Sequence, residues 1–272
     1  MKILGLDSSG LVASVAVVED DGVNSNLLAE YTVNYKKTHS QTLLPMLDEI
    51  AKMIELDLGS IDAIAVAGGP GSFTGLRIGS ATAKGLGLAL DKPLVHIPTV
   101  DALAYNLYGT DKIICPLMDA RRNQVYTGIY EFQGEELVAL EPQMAVGIEE
   151  IAEKLCKLGR DVIFLGDGVP VFRQVLTDEL MKGVAFSFAP AHVNKQRAAA
   201  VAMLAVSYVR AGKTETAAEH RPDYLRLSQA ERERAEQERL KREQKTRRQE
   251  SRHERAGNPP YGGSRSGRGS GY

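Results

Sequence analysis

The sequence is poor in cysteine and has no long apolar run. Its 272 residues include only two cysteines, Cys115 and Cys156, which lie too far apart to suggest a metal site. Few, unpaired cysteines are typical of intracellular proteins, so we expect a cytoplasmic chain. No stretch approaches the roughly 18–20 consecutive apolar residues that a membrane span requires. Asp7 interrupts the apolar N-terminus, so we also expect no signal peptide.

Histidine is scarce, and the familiar arrangements of catalytic residues are missing. None of the five histidines forms the HxxxH or HExxH pair with which a helix holds zinc or iron. No Ser-His-Asp or Cys-His arrangement can be argued from spacing. The glycine-rich segment 68–79 lacks both the lysine of a P-loop and the spacing of a dinucleotide fingerprint. We therefore predict no metal ligands and no catalytic residues.

The net charge of −2 hides an uneven distribution. From Ser228 onward twelve Lys and Arg face seven Glu, so residues 1–227 carry a net charge of −7. Residues 228–256 are almost all charged or amide residues without an apolar stripe, which predicts a solvated helix or disorder. Residues 257–272 have the Gly, Ser, Arg and Pro composition of a disordered tail. The acidic body is unlike a nucleic-acid binder, whereas the basic tail leaves direct binding of a nucleic acid open.

Hydrophobic periodicity predicts the same order of elements twice. Each half of the chain begins with antiparallel strands and continues with a helix, a strand and a helix. The predicted strands are 3–7, 12–18, 27–35, 61–67, 113–118, 123–132 and 161–165. The predicted helices are 41–55, 73–90, 148–158, 171–176 and 196–210. A repeated mixed sheet with helices indicates an α/β protein with two similar lobes.

The strongest local signal is the glycine-rich turn from strand 61–67 into helix 73–90. Gly68-Gly69-Pro70-Gly71 breaks the strand, and Ser72 could cap the helix. The free N–H groups at a helix start favour anions, so a phosphate site is one interpretation. The other is a tight turn that lets the strand and the helix pack closely.

One face of this helix carries only small side chains. Gly75, Gly79, Ala83 and Gly87 recur every four residues, although each helical glycine costs about 0.5–1 kcal/mol relative to alanine. Such a strip allows close packing of another helix. That helix could belong to the same chain or to a partner. If it belongs to a partner, a bulky residue at Gly79 should leave the monomer folded and weaken assembly.

Two acidic residues end corresponding strands of the two repeats. Asp7 precedes a Ser-Ser-Gly turn, where acidic residues bind metal–phosphate in the sugar-kinase, Hsp70 and actin superfamily; an Asp at a strand end is also a common turn residue. Asp119 opens the equivalent turn and is followed by Arg121 and Arg122. Two arginines there would crowd a phosphate, which argues against efficient ATP hydrolysis, although they could attract an anion.

Several motifs resemble the TsaB (YeaZ) family, whose paralogue is TsaD. They run in order through about residue 227: residues 3–9, His39-Ser40 with 43–45, the glycine block 69–79, Asp119-Ala120-Arg121 with Val125-Tyr126, and residues 222–225. The glycine block is specific to TsaB and TsaD, and the charged tail lies outside the resemblance.

The resemblance implies a two-lobed fold of the sugar-kinase/Hsp70/actin type. Lobe I is then residues 1–105, with helix 195–212 packing back on it, lobe II is 106–194, and 213–227 end the globular body. It also implies a scaffold that is not an enzyme on its own and needs no cofactor. Its partner TsaD holds the metal and transfers the threonylcarbamoyl group to adenosine-37 of ANN-decoding tRNAs, and the small ATPase TsaE joins them.

The resemblance also supplies the expected site residues. In the family, the helices matching 41–55 and 73–90 form a bundle with the partner, and a homodimer could use the same helices. The expected interface residues are Leu43, Leu47, Ile50, Ile54, Gly75, Gly79, Ala83, Leu86 and Gly87. A vestigial nucleotide or phosphate site, with weak nucleotide binding at most, would comprise Asp7, Ser8, Gly69, Gly71 and Asp119.

Two other classes of function stay open at this point. One is an enzyme, either an ATPase of the same fold or a metallopeptidase, against which the missing histidine pair and the double-arginine turn both count. The other is an RNA-binding protein that uses its basic tail, which salt-dependent tRNA binding would reveal.

Overall fold

The first β-sheet of this computed structural model is formed by the N-terminal part of the chain. The structure describes residues 1–35 and 39–225. Strands β1–β3 pair antiparallel, whereas β4 and β5 run parallel to β1, in the order β3-β2-β1-β4-β5. Their bounds are β1 Lys2–Asp7, β2 Ala13–Asp20, β3 Ser25–Val33, β4 Ala63–Gly69 and β5 Leu94–Pro98.

Helices cover both faces of this sheet. Helices α1 (Leu43–Met53) and α2 (Phe73–Leu90) pack on one face, and the C-terminal helix α6 (Ala198–Arg210) packs on the other. Because both faces are buried, the central strands are continuous apolar runs rather than alternating ones. Gly5 lets α6 lie against β1, since a Cβ there would be 2.4 Å from the carbonyl oxygen of Ala198.

The second sheet repeats the topology of the first. Its order is β10-β9-β6-β7-β8, which from the opposite edge matches the first sheet strand for strand. Helix α3 (Thr99–Tyr105) packs on one face, and α4 (Ile148–Leu158) and α5 (Val169–Val175) pack on the other. The strands are β6 Ile113–Asp119, β7 Gln124–Gln133, β8 Glu136–Gly147, β9 Val162–Leu165 and β10 Phe186–Phe188. The duplicated mixed sheet confirms the predicted two-lobed α/β fold.

The predicted elements are confirmed to within a few residues. Helix α4 occupies the predicted residues, and α2 begins after Ser72, whose hydroxyl accepts the backbone N–H of Gly75 at 3.3 Å. Four of the strands and α-helices in the described residues were not predicted: β5, α3, β8 and β10. In the part of the chain that the structure describes, no helix is both long and apolar enough to cross a membrane. The predictions for residues 228–272 lie outside the described residues.

Residues 213–225, which we call the C-terminal strap, run along the edge of the first sheet. Glu215 exchanges two backbone hydrogen bonds with Leu94 of β5, at 2.8 and 2.9 Å. Further on, Asp223 donates its N–H to the carbonyl oxygen of Gly68 at 2.7 Å. The ring of Tyr224 lies 5.0 Å from that of Phe73, at the start of α2. The strap therefore joins β5, the end of β4 and the first turn of α2.

Candidate functional site

The N-terminus of α2 is packed against the turn that follows β1. Ser72 donates its backbone N–H to the carbonyl oxygen of Ser9 at 2.6 Å. A Cβ at Gly71 would lie 2.4 Å from the carbonyl oxygen of Ser9, and one at Gly75 would lie 2.0 Å from that of Ser8. Backbone oxygens thus occupy the space in front of this helix start. The contacts favour the close-packing interpretation of the glycine block over a phosphate cradle.

Asp7 lies beside this turn, and its carboxylate is buried and hydrogen-bonded. Only 1% of the residue is exposed. One carboxylate oxygen accepts the backbone N–H of Ser9 at 2.9 Å and the Ser9 hydroxyl at 2.7 Å. Burial raises the pKa of Asp7 to about 6, against the opposing effects of the Ser9 hydrogen bonds and of the His39 charge. A buried carboxylate of this kind destabilises the fold when it is ionised.

We expect Asp7→Asn to stabilise the protein at neutral pH. The folded-state pKa is raised from 3.8 to about 6, so the wild-type free energy of unfolding should fall as pH rises from about 4 to about 6. Asparagine keeps an oxygen that can accept both Ser9 hydrogen bonds and carries no charge. The free energy of unfolding of the variant should exceed that of wild type by roughly 1–3 kcal/mol at pH 7 and by little at pH 4. Urea unfolding at both pH values measures this, and an unchanged pH dependence in the variant would contradict it.

Gly69, a second member of the predicted vestigial site, contacts the strap. Its φ of 129° favours glycine, and a Cβ there would lie 2.1 Å from the carbonyl oxygen of Asp223. Its N–H is donated to the hydroxyl of Thr99 at 3.1 Å. These contacts give Gly69 a structural role in seating the strap.

Asp119 lies at the end of β6 and is paired with an arginine. It accepts the backbone N–H of Arg121 at 2.8 Å, and its other oxygen lies 3.1 Å from the Arg121 guanidinium. Arg121, Arg122 and Asn123 have φ values of 65°, 56° and 58°, so the turn is left-handed and carries three side chains. The structure therefore brings Asp7, Ser8 and Gly71 together, while Asp119 pairs within its own turn.

The small-residue strip of α2 faces the chain's own sheet, so its assignment to a partner interface is wrong. A Cβ at Gly79 would lie 2.6 Å from Ser8 Oγ and 3.6 Å from Val66 Cγ2. Ala83 has no exposed surface, and a Cβ at Gly87 would lie 3.1 Å from the carbonyl oxygen of Lys92. The strip allows α2 to approach β1 and β4, which is the same-chain alternative. A bulky residue at Gly79 should therefore disturb folding.

The large apolar residues of the predicted interface are internal as well. Leu43, Leu47 and Ile50 are 1–4% exposed and belong to the core between α1 and the first sheet. Ile54 and Leu86 are half-buried against the same core. The 3.6-residue pattern identified a buried face correctly, and that face is turned towards the sheet rather than towards another chain.

The side of α2 opposite its buried strip presents apolar and small residues to solvent. We define the outer face as Ala81, Gly85 and Leu88 of α2, which lie within about 100° of one another around the helix. Leu88 is 74% exposed; Leu44 and Met53 of the neighbouring α1 are also exposed, at 52% and 80%, but lie on opposite sides of that helix. Within residues 1–35 and 39–225, nothing would lie within 4 Å of a Cβ at Gly85, and α1 and α2 contact each other. Exposed apolar side chains on adjoining helices are typical of a docking surface.

The residues of the outer face were not predicted from the sequence, although a signal for them is present there. Arg77, Ala81, Gly85 and Ala89 also recur every four residues, and all are exposed. This second strip is offset by two residues from the first, which corresponds to about 200° around a helix. Helix α2 therefore has small residues on two opposite sides, one facing the sheet and one facing outward.

The chain matches known proteins over most of its length. The family model described as TsaD, tRNA N6-adenosine threonylcarbamoyltransferase, matches residues 26–234. The tRNA threonylcarbamoyladenosine biosynthesis protein TsaB of Bacillus subtilis is 34% identical over 234 residues, which cover 85% of this chain and 96% of that relative. The TsaB protein of Haemophilus influenzae is 36% identical over 130 residues, which cover 46% of this chain and 52% of that relative.

A solved structure shares the fold. The crystal structure of a Pseudomonas aeruginosa protein, described as similar to peptidase YeaZ, has a TM-score of 0.70 and 26% sequence identity. The similarity covers 83% of this chain and 99% of that one. The motifs, the duplicated sheets and these matches all lead to one family.

Proposed function

We propose that this chain, which belongs to the TsaB family of tRNA threonylcarbamoyladenosine biosynthesis proteins, is a non-catalytic scaffold that binds the transferase TsaD. Its membership of the family assigns it to the biosynthesis of this tRNA modification. The scaffold role and the pairing with TsaD are the proposal. The bound TsaD would catalyse the transfer of the threonylcarbamoyl group to adenosine-37 of ANN-decoding tRNAs. TsaE would bind to the complex of the two proteins.

The outer face of α2 is the observation that carries the proposal. Leu88 exposes apolar surface that the described residues of the chain do not cover. Beside it, Ala81 and Gly85 allow a partner helix to approach the backbone of α2 closely. A surface of this kind suits an amphipathic helix of a partner. A second copy of this chain could use the same surface, so a homodimer would compete with TsaD.

Two features of the vestigial site support a non-catalytic role. Ser9 places its carbonyl oxygen on the N–H of Ser72 at the start of α2, where a phosphate would otherwise be held. The Asp119 carboxylate is paired with Arg121 in a turn that carries bulky side chains. Both features disfavour the close approach of a nucleotide phosphate.

Complementation of cells depleted of this protein distinguishes a scaffold function from an enzymatic one. We expect wild type and Asp7→Asn to restore threonylcarbamoyladenosine, measured by mass spectrometry of digested tRNA, because Asp7 has no chemical role. We expect Leu88→Glu to fail, because it places a charge in the outer face. If the chain were instead an enzyme that depends on Asp7, Asp7→Asn would fail to restore the modification and Leu88→Glu would restore it. Turnover of ATP by the purified chain that Asp7→Asn abolishes would also contradict the proposal.

A further inference from the structure

Two histidines and a glutamate meet where the strap crosses β5. His96 lies on β5, and Glu215 and His220 lie on the strap. One potential ligand atom from each side chain lies within 4.8 Å of the other two. Neither the vestigial site nor the outer face includes these residues, and 124 positions of sequence separate the two histidines.

His220 is buried, and one of its ring nitrogens is unpaired. The side chain has no exposed surface, and its Nδ1 lies 2.6 Å from a carboxylate oxygen of Glu215. Its Nε2 has no hydrogen-bond partner among the residues that the structure describes. A buried polar atom without a partner is costly, and a carboxylate on one ring nitrogen commonly orients the other towards a metal. The contacts within the protein thus leave a nitrogen lone pair free for a ligand.

The sheet leaves room for the second histidine. A Cβ at Gly68 would lie 2.2–2.6 Å from three atoms of the His96 ring, so the absence of a side chain at Gly68 permits the position of this imidazole. The two imidazole centroids are 5.7 Å apart. His96 and Glu215 are only half-buried, so a small solute can reach the cluster from solvent.

The charges around the cluster partly balance. Burial and the neighbouring His220 lower the pKa of His96, against the opposing effects of the Glu215 and Asp223 carboxylates. Lys84 and Arg221 each donate a side-chain hydrogen bond to the backbone carbonyl oxygen of His220, at 3.2 and 2.8 Å. These two cations are therefore bound to the backbone, while the imidazole and carboxylate groups face one another.

We propose that His96 and the Nε2 atom of His220 bind a divalent transition metal of the zinc type, and that Glu215 orients the His220 ring through its Nδ1. Imidazole nitrogens are ligands that Zn²⁺ prefers, and a carboxylate on the other ring nitrogen commonly fixes the ring for the metal. In a tetrahedral site with bonds of about 2.1 Å the two nitrogens lie about 3.4 Å apart, so the two side chains must close slightly around the ion. The half-exposed side of the cluster leaves the remaining positions for water. Because the ligands come from β5 and the strap, the metal would tie the end of the globular body to the first sheet.

Zinc binding to the full-length chain tests this site. Protein freed of metal with a chelator is titrated with ZnCl2 by calorimetry, and Co²⁺ provides an absorption spectrum that reports tetrahedral coordination. The variants are His96→Gln and Glu215→Gln, because the buried His220 could be needed for folding. The control is His192→Gln, which changes an exposed histidine outside the cluster.

We expect one Zn²⁺ per wild-type chain and a rise in Tm on adding zinc. His96→Gln and Glu215→Gln should each weaken binding by at least about 10-fold and lose the rise in Tm, whereas His192→Gln should behave as wild type. The Tm values without metal show whether each variant is folded. The proposal is overturned if wild type shows no saturable binding. It is also overturned if folded His96→Gln binds zinc as tightly as His192→Gln, because the ion is then held elsewhere.

Discussion

Replacing Gly75 by alanine should destabilise the protein by about 2 kcal/mol or more, although alanine is the better helix former. The added Cβ would lie 2.0 Å from the carbonyl oxygen of Ser8. That oxygen is part of the backbone that follows β1, so it cannot rotate away as a flexible side chain would. The cost of overpacking a tight contact, typically 1–3 kcal/mol and occasionally more, should exceed the helix-propensity gain of about 0.5–1 kcal/mol.

Gly85→Ala on the same helix is the matched control. A Cβ at Gly85 would meet no described residue within 4 Å, so this variant should be more stable than wild type by about 0.5–1 kcal/mol. Chemical unfolding of the two variants measures both effects. Equal effects of the two substitutions would mean that the start of α2 does not pack on the β1 turn as described.

The order of the elements could be predicted because the buried segments are short, strongly apolar and separated by clear turn residues. Strand β8 could not be predicted in this way. Its twelve residues include exposed and half-buried positions in no regular alternation, so the period of two is lost. Strand β10 has only three residues, all half-buried, and a segment of that length carries no periodic signal.

The candidate site was predictable in position but not in orientation. The sequence identifies α2 as a helix with small residues, and the cost of helical glycine indicates that something packs closely against it. It does not say which of the strips Gly75–Gly87 and Arg77–Ala89 faces the sheet. That choice depends on where Ser8 and Val66 lie in space. The cluster of His96, Glu215 and His220 could not be predicted from the sequence for a similar reason, because His96 and His220 become neighbours only when the strap folds along β5.

Leu88→Glu should weaken the binding of TsaD by about 100-fold or more. Leu88 is 74% exposed in the isolated chain and lies in the outer face beside Gly85. Substituting a residue at the centre of an interface typically costs 2 kcal/mol or more, which is about 30-fold in affinity. The glutamate would add to this cost, because in a complex it would lose its water without gaining a charged partner. The free energy of unfolding of the isolated protein should fall by no more than about 1 kcal/mol, the usual penalty for an acidic residue near a helix C-terminus.

Val171→Glu provides the control for a general effect of added charge. Val171 is also an exposed apolar residue on a helix, at 57% exposure, but it lies on α5, which packs on the second sheet. The proposal places no TsaD contact there. This variant should therefore bind TsaD within about twofold of wild type, since surface substitutions away from an interface usually change free energies by less than about 0.5 kcal/mol.

The affinity for TsaD, measured by calorimetry with the full-length wild type, Leu88→Glu and Val171→Glu, tests the scaffold function most directly. We predict a one-to-one complex with wild type and with Val171→Glu, and at least about a 100-fold loss of affinity with folded Leu88→Glu. Wild-type affinity in Leu88→Glu would contradict the assignment of the outer face. The absence of any complex between the wild-type chain and TsaD would contradict the scaffold function itself.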